Sequence, residues 1–403
     1  MTTASFAPPR HDSYDVILIG GAMYGSSVAW WLTHLGFDGR ILVVERDPSY
    51  TMCSTAHTNS CIRQQFSNEV NVRISQFGAD FVQNMRDHMG DPQAPNLPIQ
   101  SFGYMYLAET ETQAENLRQA QAVQAACGAG TRHMTAAEIK AAYPFYNTDD
   151  IIAGNHNLID EGYFDGGTVF DWFRKGARAG GVEYVANEVT GLTLNAAGTQ
   201  VTGVTLATGQ VIACGTVVNA AGPRAARVAQ MAGIPLPVEP RKRFTFVFAA
   251  AQRLDRDLPL TIDPSGVHMR SDGLYYMAGC PPDEDGAVDA DDFAPDHSIW
   301  ENKVWPVLAH RVPQFEQIKL VNEWVGHYAF NTLDQNAILG PHPEVSNFIF
   351  VNGFSGHGLQ QSPAIGRGTA EMIIHGAYRS LDLTSFHFDR IAQGAGFVEM
   401  AII

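Results

Sequence analysis

The residues that first promise chemistry are the glycines of Gly20-Gly21-Ala22-Met23-Tyr24-Gly25, which follow the G-x-G-x-x-G spacing with alanine at the middle position. A turn of this kind brings backbone N–H groups and a helix N-terminus up to a pyrophosphate. Gly20 permits the turn, Gly25 permits close helix–strand packing, and Ala22 adds one methyl group where a phosphate approaches. Glu45 follows at about the 20-residue spacing expected of an acid that accepts hydrogen bonds from a ribose. Glycines alone are a weak signal, so the elements that position them decide. Asp15–Ile19 is a short apolar, β-branched run and reads as a buried strand. Gly25–Leu32 reads as a helix ended by Gly36, and Ile41–Val44 reads as a second buried strand with Glu45 at its tip. Strand, turn, helix, strand and acid together predict a dinucleotide-binding unit.

Composition narrows the remainder. The chain has 403 residues, enough for two or three domains. Hydrophobic residues at 45% and charged residues at 17% exclude a mostly disordered chain. A net charge of −16 predicts no nucleic-acid partner, and any anionic ligand must be met by a local cluster of positive charge. Cys53, Cys61, Cys127, Cys214 and Cys280 show no metal-binding spacing and predict reduced thiols in a cytoplasmic protein. No apolar run approaches the roughly 20 residues of a membrane span, and the first residues show no apolar signal core.

Further strands are expected at Gly180–Tyr184, Glu188–Leu192, a hairpin of Val201–Leu206 and Val211–Cys214, Thr216–Asn219, Phe244–Phe248, Leu274–Met277 and Phe348–Asn352, with a helix starting near Pro363. Residues 280–297 read as an acidic loop, and Arg241-Lys242-Arg243 as a structural or solvated basic run. Four stretches then carry a specific resemblance: VILIGGAMYGSS, STAHTNSCIRQQFS, VVNAAG and NGFSGHGLQQSPAIGR. In these the chain resembles the D-amino acid oxidase/sarcosine oxidase superfamily of FAD enzymes, nearest the branch of sarcosine and dimethylglycine dehydrogenases and a respiratory-complex assembly factor.

The resemblance implies an α/β architecture, with a Rossmann-like FAD-binding domain interleaved with an α+β substrate domain built on an antiparallel sheet. The FAD domain would comprise residues 1–90, 150–235 and 335–403, and the substrate domain 91–149 and 236–334. It implies FAD held by Gly20, Gly21, Ala22, Met23, Tyr24, Gly25, Glu45, Arg46, Ser54, Thr55, His57, Val189, Ala221 and Gly222, and by the loop Gly353, Ser355, Gly356, His357, Gly358, Leu359 and Gln360. It implies a substrate carboxylate on Arg63, with His357, His57 and Tyr328 also in the catalytic set. His268, Arg270, Tyr275, His327 and Gln360 complete the substrate pocket, Gln360 standing where relatives often have a lysine. His57, in Ser54-Thr55-Ala56-His57, resembles a histidine that bonds covalently to flavin in dimethylglycine-type enzymes; the expectation here is a histidine close to the flavin without that bond.

The expected activity is oxidation of the C–N bond of a secondary or N-substituted amino acid to an imine that hydrolyses. Relatives that use oxygen carry a lysine in the stretch that reads Gly273-Leu274-Tyr275-Tyr276-Met277 here, so oxygen or another acceptor could take the electrons. A 2-hydroxy acid dehydrogenase and a flavin-binding assembly factor with little catalysis are the alternatives. A nicotinamide-only dehydrogenase is a third, and its oligomeric state is open.

Overall fold

The computed structural model describes residues 6–400. Two eight-stranded sheets share the chain in alternation. In the first, the strands Ile338–Pro341, Phe348–Asn352, Val211–Asn219, Ser13–Ile19, Ile41–Glu45 and Glu183–Ala186 lie side by side in that order. All neighbours along this path are parallel except the first pair. Period two splits each central strand between two cores. Val16, Leu18, Ile41 and Val43 point to one side, against the helices Met23–His34, Gly166–Ala179 and Gly358–His375. Ile17, Ile19, Leu42 and Val44 point to the other.

Val211–Asn219 is one strand, not two. Its start pairs antiparallel with Val201–Leu206, and from Ala213 onward it also pairs parallel with Ser13–Ile19. Gly215, whose added Cβ would lie 2.8 Å from Asp15 O, lets the two backbones meet without ending the strand. Gly180 and Gly181 close the preceding helix, so the expected strand there begins later, at Glu183.

The second sheet runs Ile318–Asn331, Val238–Ala250, Tyr275–Cys280, His268–Asp272, Leu260–Ile262, Tyr104–Ala108, Ala153–Asn157 and Arg132–Thr135. Its pairs are antiparallel except the one between Leu260–Ile262 and Tyr104–Ala108. Ala153–Asn157, grouped by sequence with the nucleotide-binding segments, pairs in this second sheet. One face carries Phe244, Phe246, Phe248, Met269, Tyr276, Ala278 and Val325 into an apolar core under the helix Trp305–Arg311. The other face carries Arg243, Thr245, His268, Gly326 and Tyr328 and roofs a cavity that reaches the first sheet.

The helix expected near Pro363 starts at Gly358. Proline inside a helix forfeits the bond to the carbonyl four residues back. Here that carbonyl, of Leu359, accepts from Ser362 Oγ at 2.8 Å, so the helix runs through.

Candidate active site

One cavity of about 300 Å³ lies between the two sheets. Its floor is built as the glycine spacing requires. Gly20 has φ +99°, and a Cβ there would sit 2.6 Å from Ala220 O. A Cβ on Gly25 would sit 1.9 Å from Gly20 O, so no other residue fits without moving the turn. The helix Met23–His34 begins after Ala22, which is extended and gives no side-chain cap; the Met23 N–H lies 3.4 Å from Thr55 Oγ1. An uncapped helix start is a ready site for an anion. Glu45 lines the same space. Its two oxygens accept from Gly21 N and Asp47 N, each at 2.8 Å, while burial pushes its carboxyl above the usual range. Val189, Ala221, Gly222, Arg46, Ser54 and Thr55 line this end too. Asp291, from the loop that spans residues 281–297, pairs with both Arg46 and Arg224 across its mouth.

The far wall is the loop before the last long helix. Gly353 and Gly356 have φ +71° and +96°, and Ser355 adopts φ +47°. At Gly356 a Cβ would lie 2.4 Å from the Tyr328 ring, so the loop can press on that ring only with glycine there. His357 is 4% exposed and meets Phe66 edge-on at 5.1 Å. Tyr24 ties the two walls together: its ring stacks on Phe354 at 3.9 Å and its hydroxyl donates to Gly358 O at 2.7 Å.

Arg63 stands between this loop and the roof, 1% exposed, and it lines the cavity. Its guanidinium lies 4.0 Å from the centre of the Phe66 ring and donates to Gln65 O. The Arg63 backbone N–H donates to Gln360 Oε1 at 2.8 Å. Gln360, which also lines the cavity, therefore holds the arginine's backbone in place. Behind Arg63 lies Glu161, fully buried, which accepts from Gln64 N at 2.7 Å and Gln65 Nε2 at 2.9 Å. Burial pushes the Glu161 carboxyl up to about 7.

Three histidines and a tyrosine complete the lining. His57 is half-buried, and its Nδ1 donates to Cys53 O at 3.1 Å. His327 Nε2 lies 2.9 Å from Asp292 O, and its ring is 4.3 Å from Phe293. His268 is buried on the roof, and Tyr328 presents its ring to the Arg243 guanidinium at 4.6 Å. Burial pushes the Tyr328 hydroxyl up.

Two expected pocket residues lie elsewhere. Arg270 does not line the cavity. Its guanidinium donates to Asp272, Ser271 O and Asn59 O, which anchors the strand and the 54–60 segment. Tyr275 is exposed on the sheet's rim, at the first position of its strand and beyond the cavity. Gly21, Gly25 and Gly353 shape the walls from behind rather than facing the space. Sequence reasoning missed Arg243, read as structural or solvated. It is 8% exposed and lines the cavity. The signal was available: Arg243 and Thr245 alternate with Phe244, Phe246 and Phe248, which fixes them on the opposite face.

The glycine cradle, the uncapped helix start and the acid at the strand tip suit a dinucleotide by their donor chemistry. A family model described as FAD dependent oxidoreductase (DAO) matches residues 15–372. The chain belongs to this family of FAD-dependent oxidoreductases. It is 38% identical to FAD-dependent oxidoreductase domain-containing protein 1 of Xenopus laevis, over 96% of this chain and 85% of that protein. It is 25% identical to human mitochondrial sarcosine dehydrogenase, over 94% of this chain but 42% of that protein. Among solved structures, L-proline dehydrogenase from P. horikoshii superposes with a TM-score of 0.81 at 24% identity, covering 95% of this chain and 99% of that one. FAD is thus the family's cofactor, and the two-sheet fold is the family's fold. No helix of the described residues is long and apolar enough to cross a membrane.

Proposed function

We propose that this FAD-dependent oxidoreductase oxidises the C–N bond of a secondary or N-substituted amino acid, giving an imine that water then hydrolyses. The observation that carries the reading is Arg63, a buried guanidinium in the wall of the cavity between the glycine loop and the sheet roof. A planar fork of N–H donors suits a carboxylate. Sarcosine, the substrate named for one relative, is a secondary amino acid.

In this reading Gly20, Ala22, Met23 and Tyr24 hold the pyrophosphate, and Glu45 holds the ribose. Gly356, His357 and Gly358, which line the cavity, would hold the redox-active ring. Bound FAD supplies a two-electron acceptor for the hydride that leaves the carbon beside nitrogen. The chain's own part is placement. Arg63 fixes the carboxylate, Gln360 fixes Arg63, and the Tyr328 ring and the roof exclude water from the reacting carbon. The amine reacts as the free base: its ammonium proton passes to solvent before the hydride departs, and the iminium left behind is hydrolysed by water. The cavity-lining residues include no lysine, which favours an electron acceptor other than oxygen. Five free cysteines fit a reducing compartment.

The test is a visible spectrum of the purified protein, taken anaerobically before and after pooled N-alkyl amino acids are added. Bands near ~450 nm that bleach support the reading. Bands that bleach only with 2-hydroxy acids, or with nothing, would replace it with hydroxy-acid oxidation or with a flavin-binding scaffold.

A further inference from the structure

The roof carries two buried donors without a partner among the described residues: His268 Nδ1 and Arg243 Nε. Both residues line the cavity, at 6% and 8% exposure. Asn59 fixes which His268 nitrogen holds the proton. Its Oδ1 lies 3.5 Å from the Thr245 hydroxyl, which turns Nδ2 towards His268 Nε2 at 3.0 Å. Nε2 therefore accepts, and Nδ1–H is a donor. Arg243 is fixed as firmly: its terminal nitrogens donate to Asp285 Oδ1 at 2.7 Å and Oδ2 at 3.0 Å, leaving Nε–H over.

In the sheet register these residues stand beside glycines, whose own Cβ positions would meet the His268 ring and His57. His268 and Thr245 both lie opposite Gly279, and Arg243 lies opposite Gly326. A Cβ on Gly279 would come within 2.7 Å of His268 Nε2. The charge is equally directed. Burial above all, and then the charges of Arg270 and Arg243, push the His268 ring down to about 4 and hold it neutral. Buried donors are seldom left without an acceptor, and a positive field favours an anionic one.

We propose that His268 and Arg243 form a second carboxylate subsite, so that the substrate carries one carboxylate for Arg63 and another for the roof. The inference rests on the amino-acid reading above, and it names the substrate class: a secondary amino acid with a further carboxylate on its N-substituent or its side chain.

Binding tests it without turnover. The FAD-loaded protein is titrated with unreactive five-carbon acids, valerate against glutarate, followed by the flavin absorbance. Glutarate binds about 10-fold tighter or better, and Arg243→Lys, which keeps the charge but removes Nε, shrinks that ratio towards one, as does His268→Phe. Equal affinity of the wild-type protein for the two acids overturns the subsite, as does a preference untouched by both variants. Stopped-flow reduction with N-carboxyalkyl amino acids, N-methylaspartate and N-methylalanine then locates the second carboxylate. If glutarate binds tighter but no amine reduces the flavin, the subsite stands and the oxidation reading fails. If N-methylalanine reduces it as fast as the two diacids, the oxidation reading stands and the substrate class fails.

Discussion

At the end of the cavity bounded by Gly20–Tyr24 and Ala221–Gly222, the space is shaped mainly by backbone. At the roof, it is shaped by side chains of strands far apart in sequence: Arg243, His268 and Tyr328. The first surface tolerates little change in residue size at Gly20 and Gly25, where a Cβ would strike main chain, and at Gly21, where it would strike the Val43 and Tyr50 side chains. The second is set by pleat and register, so residues such as Arg243 reach the cavity only because their neighbours on the strand are buried the other way. On the proposed reading, a nucleotide common to many enzymes is met by rigid backbone and a substrate that differs between enzymes by replaceable side chains.

That contrast can be broken at either end. The largest effect is expected from Gly25→Ala, whose Cβ would lie 1.9 Å from Gly20 O. The purified variant should carry no yellow flavin and should melt at a lower temperature. Arg63→Gln should keep its flavin spectrum but raise the dissociation constant for carboxylates by about 10²–10³-fold, read by absorbance titration. Gly356→Ala, with a positive φ and its Cβ 2.4 Å from the Tyr328 ring, should bind flavin but slow its reduction by amines on the order of 10²-fold.

A smaller effect follows from Glu161. Its carboxyl, at about 7, is mostly neutral at pH 6 and mostly ionised at pH 8. Ionisation places a negative charge behind Arg63 and offsets the attraction felt by a ligand carboxylate. Affinity for an unreactive carboxylate should therefore fall several-fold, roughly 5-fold, as pH rises from 6 to 8. In Glu161→Gln the profile should flatten. The smallest effect belongs to Ala22→Gly, which removes one methyl group from the cradle. FAD affinity should change by no more than about 3-fold in equilibrium dialysis. A large gain would show the methyl group to be an obstruction rather than a tolerated variant.

The same contrast explains what could be read beforehand. The floor was legible because strand, glycine turn, helix and acid lie within one short stretch, each with its own local pattern. The helix Gly358–His375 was placed too late because Pro363 looked like a boundary, and only the Ser362 hydroxyl on the Leu359 carbonyl shows how it is crossed. Arg63 was legible by family likeness, but the role of Gln360 was not, since a side chain's partner 297 positions away leaves no local trace. Tyr275 and Arg270 were misplaced for a related reason. Both sit on roof strands, and neither strand's sequence says where the cavity's edge falls or which arginine a neighbouring acid will occupy.

The Tyr24 hydroxyl meets its acceptor, Gly358 O, across 334 residues. A ribosome adding about 5–20 residues per second needs roughly 17–67 s to make that span. Throughout that interval the glycine turn is without its opposite wall, and Val211–Asn219, when it arrives, still lacks Phe348–Asn352 beside it. Cofactor loading is thus a late event in the life of each molecule, timed by the exit of the last long helix, and a nascent chain stalled before residue 358 would have made the whole nucleotide fingerprint and still be unable to close on FAD.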